Sequence, residues 1–333
     1  MKVNMKNKKL FEKLNLIQQT RDANLMFEQK VLYVLQENEI YLPEDVMESI
    51  LSEINGKKID KRVLEELMIN TFGPKMRGYE KQLKEYLSGN IDFINMELLK
   101  NNAYIRKFRF EKSLSFGNVR LSNEVYKKYE FIVTDIPRVD KNYRIIPHIG
   151  VFPEKFRFPV LKEQNETWMS VTPSEINTMQ SAIDEVNGKV LVLGCGIGYY
   201  PYMISLKDEV SEILVVEKNP VIADMFSKYI LPKFEYKDKV KIVVNDIFKY
   251  FEKLDVLFDY IFCDTWFSSA DGLNVYSQLK KIERQYYNSK FLYWLEQDIL
   301  ENIRNVVFTN IMHSITKQTL DIKSATMIQS KIY

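Results

Sequence analysis

The sequence predicts an α/β fold in which a doubly wound, mostly parallel sheet follows an α-helical N-terminal region and a small β-rich connector. Two observations lead to this prediction. From residue 166 onward, short apolar runs alternate with stretches of helical spacing, which is typical of a parallel sheet covered by helices. Four of the apolar runs end in glycine, amide or acidic residues, and such folds bind ligands at the carboxyl ends of their strands.

The predicted helical N-terminal region covers residues 1–103. Its apolar side chains recur every three or four residues, as on one face of a helix. Proline near the start of a helix and glycine just past its end are typical boundaries, as at Pro43 and Gly56. The expected helices lie at 7–20, 42–56, 64–72, 79–87 and 91–99.

The predicted β-rich connector covers residues 104–165. Apolar and polar residues alternate at 104–110 and again near 131–133, which indicates strands. Five of the ten prolines fall between Pro137 and Pro173. Since proline has no amide donor, this density favours edge strands and turns over a large sheet.

The predicted α/β region covers residues 166–333. It begins with a capping box, Thr172-Pro-Ser-Glu175, which indicates a helix that ends at Gly188. Further helices are expected after Asn219 and near Asp271, between buried apolar strands. The expected strands are 189–193, 213–216, 241–244, 258–263 and 291–294.

The composition limits the chemistry of this chain of 333 residues. Its only histidines are His148 and His313, which excludes a histidine-rich metal centre, so we expect no metal. Cys195 and Cys263 are too few for a disulfide framework and suit a reducing cytoplasm, the expected location. No apolar run reaches the roughly 18 residues of a membrane span. The net charge is +2, and this mild balance does not indicate a dedicated nucleic-acid binder.

The strand at 189–193 runs directly into a cluster of glycines. The chain has 11 glycines, and Gly194, Gly196 and Gly198 fall in one short turn. Such a turn leads into a helix whose N-terminus offers free amide groups to a nucleotide-like ligand. A nicotinamide dinucleotide site requires a glycine or alanine where this chain has Tyr199. The spacing therefore favours a ligand that has no pyrophosphate.

Acidic residues end the strands that follow. Glu217 ends the second strand, where an acid accepts hydrogen bonds from both ribose hydroxyls. Asp246 ends the third strand, and its carboxylate is placed to accept from the exocyclic amine of adenine. Asp264 ends the fourth strand and faces the position of a reacting group. The strand ends thus predict a nucleoside site with a carboxylate beside the group that reacts.

Together these motifs resemble the ordered motifs of the class I S-adenosylmethionine-dependent methyltransferases. The likeness spans about residues 168–300 and depends on the segments 190–198, 215–217, 245–246 and 258–264. It implies a Rossmann-like fold with S-adenosylmethionine as the cofactor. By this resemblance the glycines follow the methionine part, Glu217 holds the ribose, and Asp246 and the Ile247 backbone meet the adenine. The expected cofactor-binding residues are Gly194, Cys195, Gly196, Gly198, Tyr199, Glu217, Lys218, Asp246 and Ile247.

The function expected from this resemblance is methyl transfer from S-adenosylmethionine to an amine or hydroxyl of a small molecule. The methyl group of a sulfonium is already activated, so catalysis needs mainly alignment of the reacting atoms. Asp264 is the predicted catalytic residue, which orients or deprotonates the acceptor. Trp168 and Trp266 are the predicted substrate contacts, since an indole ring stacks on a planar substrate.

Three alternatives stay open. A β-rich segment directly before the sheet, and Asp264 followed by Asp271-Gly272, also resemble the polyamine synthases. That resemblance implies aminopropyl transfer from decarboxylated S-adenosylmethionine. A non-catalytic cofactor-binding or scaffold protein would use its helical region for a partner, and RNA or DNA is a further class of methyl acceptor. The sequence does not identify the acceptor or the oligomeric state. It is compatible with a homo-oligomer, and we expect no membrane partner.

Overall fold

The computed structural model describes residues 8–38, 42–54, 59, 61–139, 145–164, 166–254 and 256–316. Its internal contacts divide the chain into two compact units that interleave along the sequence. The first unit holds the described residues of 1–95, 126–156 and 300–333, and the second holds those of 96–125 and 157–299. The three regions expected from the sequence pattern, 1–103, 104–165 and 166–333, stay a prediction about domain boundaries.

Helices and strands both occur in each unit. The helices are α1 (Lys8–Asn38), α2 (Glu44–Glu53), α3 (Lys61–Phe72), α4 (Glu80–Leu87), α5 (Met96–Asn101), α6 (Ala103–Lys107), α7 (Pro173–Glu185), α8 (Tyr199–Ser205), α9 (Pro220–Met225), α10 (Ile247–Phe251), α11 (Gly272–Glu283) and α12 (Glu296–Thr316). The strands are β1 (Ile91–Phe93), β2 (Leu114–Phe116), β3 (Val119–Tyr126), β4 (Phe131–Val139), β5 (Ile145–Val151), β6 (Phe156–Glu163), β7 (Glu166–Ser170), β8 (Gly188–Leu193), β9 (Val210–Glu217), β10 (Val240–Val244), β11 (Tyr260–Cys263) and β12 (Lys290–Tyr293).

The second unit is built on a sheet that, among the described residues, has five strands in the order β10-β9-β8-β11-β12. All neighbouring strands of this sheet are parallel. β8 is the first of these strands along the chain and lies in the middle of the sheet. β9 and β10 are added in turn on one side of β8, and β11 and β12 on the other side, which makes the sheet doubly wound. The predicted Rossmann-like α/β fold is therefore confirmed, and each of the five strands predicted between residues 189 and 294 overlaps a strand of this sheet.

A smaller sheet of the second unit precedes the parallel one along the chain. Its strands follow the order β2-β3-β6-β7, with antiparallel hairpins at β2–β3 and β6–β7. The chain passes from β7 to α7 through Thr172, whose hydroxyl accepts a hydrogen bond from the Glu175 N–H at 3.4 Å. Pro173 occupies the first helical turn, as the capping box predicts. The Thr172 cap and Pro173 thereby fix where α7 begins.

The first unit contains a sheet in the order β1-β5-β4 and the helices α1 to α4. One face of α3 is buried in its core through Leu64, Met68 and Phe72. Phe72 meets Phe131 of β4 edge to face, with ring centroids 6.2 Å apart. These contacts confirm that the helical pattern at 64–72 marks a core face.

The predicted helix over 91–99 is wrong in its first part. Ile91–Phe93 forms β1 and pairs in parallel with β5, in register with Ile149 to Val151. The helix α5 begins only at Met96. Pairing with a strand more than fifty residues away overrides the local helical spacing, as tertiary contacts often do.

The predicted strand at 104–110 is wrong, because Ala103–Lys107 forms helix α6. Asn102 caps this helix, since its side chain accepts a hydrogen bond from the Ile105 N–H at 3.1 Å. Tyr104, Ile105 and Phe108 are all buried. Their spacing fits one helix face as well as it fits partial alternation, and the cap selects the helix.

Two predicted helix ends also need comment. Gly188 begins β8, whereas α7 already ends at Glu185. Gly56, the predicted end of the second helix, lies outside the described residues.

Within the part of the chain that the structure describes, no helix is both long and apolar enough to cross a membrane.

Candidate functional site

The carboxyl ends of four parallel strands meet at one edge of the five-stranded sheet. Leu193 of β8 pairs in register with Val216 of β9 and with Cys263 of β11. On the far side of β9, Val244 of β10 pairs with Glu217. The segments that follow these strands therefore lie side by side along this edge, where parallel sheets bind ligands.

The turn after β8 runs close to the end of the neighbouring strand. Gly194 has a φ of +95°, and a Cβ atom at this position would collide with the backbone carbonyl oxygen of Asp264. Only glycine fits such a contact without a shift of the backbone. Gly196 and Gly198 also have positive φ values, +50° and +80°. The turn, residues 194–198, therefore presents bare backbone at the sheet edge, and we call it the glycine turn.

Glu217 is buried at the end of β9 and bonds to the glycine turn. Its Oε2 accepts a hydrogen bond from the Cys195 N–H at 2.9 Å, and its Oε1 accepts one from the Asn219 N–H at 2.7 Å. Each carboxylate oxygen has a further lone pair, so the group can still accept from a vicinal diol. This geometry fits a ribose. Burial, and then the Glu217 charge, raise the pKa of the Cys195 thiol well above its usual range, so Cys195 contributes its amide here and not a thiolate.

Asp246 caps helix α10. Its Oδ1 accepts hydrogen bonds from the N–H groups of Phe248 at 3.0 Å and Lys249 at 3.4 Å, and its Oδ2 lies 3.3 Å from Lys218 Nζ. Desolvation opposes ionisation, but the Lys218 contact and the two amides hold the pKa of Asp246 below its usual range. Ile247 is buried as the first residue of the helix. The adenine contacts predicted for Asp246 and Ile247, and the cofactor contact of Lys218, stay predictions.

Tyr199, the first residue of α8, points its side chain into the protein interior. It is 1% exposed, and its hydroxyl accepts a hydrogen bond from Asn102 Nδ2 at 3.0 Å. Its ring meets that of Tyr104 edge to face, with centroids 5.4 Å apart. Burial raises the pKa of Tyr199 to about 12. The predicted cofactor contact of Tyr199 stays a prediction, and with the side chain buried it would be made by the backbone of Tyr199.

Asp264 lies partly buried after β11, near two further carboxylates. Burial, and then the charges of Glu175 and Glu217, raise the pKa of Asp264 well above its usual range. Glu175 accepts hydrogen bonds from the N–H and the hydroxyl of Ser170 at 3.1 and 2.8 Å, yet burial raises its pKa to about 7. We call Glu175, Glu217 and Asp264 the acidic cluster. Because an opposite charge favours the ionised form of a carboxyl group, a cationic ligand would be stabilised here.

Met169 of β7 covers part of the glycine turn. Its Sδ accepts a hydrogen bond from the Ile197 N–H at 3.2 Å. A Cβ atom at Gly196 would collide with the same sulfur. Backbone amides at the start of a helix are where anionic groups bind. A ligand carboxylate would therefore have to displace this thioether to reach the Ile197 amide.

The chain after β11 forms a turn that Asp271 holds in shape. Its carboxylate accepts hydrogen bonds from the N–H groups of Phe267 at 3.0 Å and Ser268 at 2.6 Å. Trp266 is 4% exposed, and its ring lies against Gly272, where a Cβ atom would come within 2.7 Å of it. The buried ring of Trp266 is not presented to a substrate in this conformation, and its predicted substrate contact stays a prediction.

Two exposed aromatic rings lie next to each other beside this turn. Trp168 is 45% exposed and Phe267 is 44% exposed, and their ring centroids are 6.2 Å apart. Among the described side chains, the Thr265 hydroxyl and the Trp266 indole N–H are buried without a hydrogen-bond partner. Buried polar groups normally have partners. The region directly after Asp264 therefore offers polar groups that a ligand or a water molecule would satisfy.

The structure brings the glycine turn, Glu217 and Asp264 together, as the sequence analysis expects. Residues that reach this region from other segments escaped that analysis, since their contacts depend on tertiary packing. Among these residues, Glu175 alone belongs to a local sequence motif, the capping box. That motif accounts for a glutamate at this position as part of a helix cap, and so it does not indicate a functional role. The other residues missed are Asn102, Tyr104 and Met169.

Comparison with known proteins matches part of this chain to one family. Residues 172–286 match the model of the spermine/spermidine synthase domain. The matched segment begins at the cap of α7 and ends just after α11, so it contains the glycine turn and the strand ends at Glu217 and Asp264. No curated protein matches the chain.

Similar solved structures include enzymes of two kinds. A spermidine synthase in complex with the transition-state analogue AdoDATO is 18% identical, with a TM-score of 0.28, over 33% of this chain and 43% of that chain. Spermidine synthase from Thermotoga maritima is 16% identical, with a TM-score of 0.31, over 41% and 52%. A methyltransferase of Podospora anserina bound to SAH is 18% identical, with a TM-score of 0.32, over 48% and 71%. This chain therefore spans about half the length of the two spermidine synthases.

Proposed function

We propose that this protein is a transferase that moves an alkyl group from an S-adenosyl sulfonium donor to an amine or hydroxyl of a small molecule. One observation supports this most strongly. The Glu217 carboxylate bonds to the glycine turn at Cys195, while the backbone of Asp264 lies against the same turn at Gly194. These contacts support a role for Glu217 in ribose binding and for Asp264 as the proton acceptor at the same turn.

The residues of this site suit group transfer by alignment. A sulfonium donor supplies an alkyl carbon that is already activated, so the protein mainly has to hold the reactants in line. Glu217 and the glycine turn orient the donor. Asp264 orients the acceptor and takes its proton as the new bond forms to the alkyl carbon and the carbon–sulfur bond breaks, its electrons leaving on sulfur. The raised pKa of Asp264 gives its carboxylate a higher affinity for the proton of the acceptor than an ordinary carboxylate has.

In the first form of this proposal the donor is S-adenosylmethionine and the group is methyl. The ordered strand-end motifs support it. The test incubates the protein with this donor and a panel of small amines and alcohols, and detects methylated product and S-adenosylhomocysteine by mass spectrometry. Asp264→Asn serves as the inactive control. Absence of both products with every acceptor, from a folded protein that binds the donor, would contradict methyl transfer to such acceptors.

A second candidate is aminopropyl transfer from decarboxylated S-adenosylmethionine. Two observations favour it beyond the matched family segment. The acidic cluster suits an ammonium group on the donor, and the Met169 thioether takes the Ile197 amide that a donor carboxylate would use. The same assay with the decarboxylated donor and diamine acceptors yields methylthioadenosine if this candidate is right. Turnover of the carboxylated donor alone would exclude it.

The other expectations give distinct results in these assays. A non-catalytic or scaffold role predicts donor binding without turnover, and no effect of Asp264→Asn. An RNA or DNA acceptor predicts an affinity for nucleic acid that falls steeply with salt.

Cys195 and Cys263 are free and buried, which supports a reducing compartment such as the cytoplasm as the location.

A further inference from the structure

Two side chains from outside the five-stranded sheet bond to the two peptide groups on either side of Ile197 in the glycine turn. The Ile197 carbonyl accepts a hydrogen bond from the Tyr104 hydroxyl at 2.5 Å, and the Ile197 N–H donates to Met169 Sδ at 3.2 Å. Gly196 and Gly198 flank this residue, and both have positive φ. Because glycine restricts the backbone least, these two contacts add to the hydrogen bond from the Gly198 N–H to the Cys195 carbonyl in holding the turn.

The Tyr104 ring is itself firmly packed. It is 0% exposed, stacks on Phe108 with centroids 4.3 Å apart, and meets Tyr199 and Tyr202 edge to face at 5.4 and 5.6 Å. Burial raises the pKa of Tyr104 well above its usual range, so its hydroxyl stays protonated and remains a donor. A buried, protonated hydroxyl therefore faces the Ile197 carbonyl as a hydrogen-bond donor.

Asn102 gives helix α6 a second link to the same region. Its Oδ1 accepts from the Ile105 N–H at 3.1 Å and caps the helix, while its Nδ2 donates to the Tyr199 hydroxyl at 3.0 Å. Tyr199 directly follows the turn as the first residue of α8. The two ends of the peptide segment Ile197–Tyr199 are thus both bonded to α6 or its cap.

We propose that Tyr104, supported by Asn102, is a positioning residue for the S-adenosyl donor: its hydroxyl fixes the Ile197 carbonyl and thereby the backbone conformation of the glycine turn. This inference rests on the proposed function, because it takes the turn to be the donor site. Without the hydroxyl, a buried carbonyl is left unpaired, which is costly unless the peptide rotates. The same peptide carries the Gly198 N–H, which donates to the Cys195 carbonyl at 2.9 Å. Its rotation therefore changes the shape of the turn, and the S-adenosyl donor binds less tightly.

The test compares Tyr104→Phe with Tyr286→Phe. Tyr286 is a matched control, because its hydroxyl also donates to a backbone carbonyl, that of Phe251, at 3.0 Å and away from the turn. Hydrogen exchange is measured for the segment 194–199 in the free protein, and S-adenosylhomocysteine is titrated by calorimetry. We expect Tyr104→Phe to speed exchange in this segment and to weaken binding about tenfold. The control changes neither, although both variants lower the melting temperature.

The outcomes separate this inference from the proposed function. Wild-type protein that binds S-adenosylhomocysteine, with equal affinity and equal exchange in Tyr104→Phe, overturns the positioning role and leaves the proposed function intact. Wild-type protein that binds neither this ligand nor a donor overturns both. Should Tyr104→Phe fail to fold, Asn102→Ser keeps the helix cap and loses the link to Tyr199. Faster exchange in 194–199 then supports the role of α6, and unchanged exchange contradicts it.

Discussion

The carboxylate of Glu217 accepts a hydrogen bond from the backbone N–H of Cys195 at 2.9 Å. The acid at the end of β9 and the glycine turn after β8 therefore fix each other, and both belong to the sequence motifs that predict a nucleoside site. In the proposed function, an acid held by the turn that binds the same ligand is preorganised, which reduces the entropy lost on binding. The predictions below follow from this pair and its neighbours.

Replacing Glu217 by glutamine should weaken donor binding. Glutamine has one acceptor oxygen in place of two, so it cannot accept from Cys195, Asn219 and a ribose diol together. We expect the affinity for S-adenosylhomocysteine to fall at least about tenfold, since hydrogen bonds to a charged group each contribute about 1.5–3 kcal/mol. Glu212→Gln on the same strand is the control, because Glu212 pairs with Lys241 at the surface. Equal affinities in calorimetry for both variants would rule out the ribose role.

Replacing Asp264 by asparagine should abolish turnover and spare donor binding. The amide keeps the size of the side chain but cannot take a proton from the acceptor. We expect turnover to fall about 10²–10⁴-fold, the usual effect of removing an acid–base group. Rates with an active acceptor are measured by product formation, and donor affinity by calorimetry. An unchanged rate would remove Asp264 from the mechanism.

Replacing Gly194 by alanine should damage both stability and donor binding. The added Cβ would collide with the Asp264 carbonyl, a backbone atom that cannot swing aside. Gly117→Ala is a matched control, because Gly117 also has positive φ but has open space around it. Strain at positive φ alone costs on the order of 1 kcal/mol, so the control should lose about that much stability and no affinity. Urea unfolding that shows equal losses in the two variants would contradict the close approach.

The pH dependence of stability should reveal Glu175. Its pKa is raised from 4.5 to about 7 in the folded protein, so the folded state binds more protons than the unfolded state between these values. This contribution is therefore complete at low pH and is lost as pH rises through about 7. Glu175→Gln keeps the acceptor for Ser170 and removes the titration, so the variant should gain on the order of 1 kcal/mol relative to wild type between pH 5 and pH 8.

Asp264 titrates in the same direction as Glu175, because its pKa is also raised. Part of the decline in stability with pH should therefore persist in Glu175→Gln. Urea unfolding at several pH values measures the difference between the two proteins. Parallel stability curves for wild type and variant would show that Glu175 ionises as an ordinary exposed acid.

The parallel sheet and its edge were predictable because each signal is local. An apolar run, a glycine turn and an acid such as Glu217 or Asp264 follow one another within a few residues. A parallel sheet then brings every strand end to the same edge without further information. Sequence reasoning thus found the part of the candidate site that lies within one repeating strand–helix pattern.

The rest of the site depends on contacts between distant segments. Tyr104 lies 93 residues before Ile197, and its alternating neighbours suggested a strand until the cap at Asn102 is taken into account. Met169 had no pattern that indicates a hydrogen bond to the turn. Trp266 and Phe267 are adjacent aromatic residues, and only the turn held by Asp271 decides which ring is buried.

Calorimetric titration of the folded protein with S-adenosylmethionine, decarboxylated S-adenosylmethionine and S-adenosylhomocysteine tests the central claim most directly. Glu217→Gln and Glu212→Gln are titrated in parallel. We predict that the wild type and Glu212→Gln bind at least one of the three ligands, with one molecule per chain, and that Glu217→Gln binds it more weakly. Absence of binding of all three by the folded wild type, or equal binding by Glu217→Gln, would contradict the account.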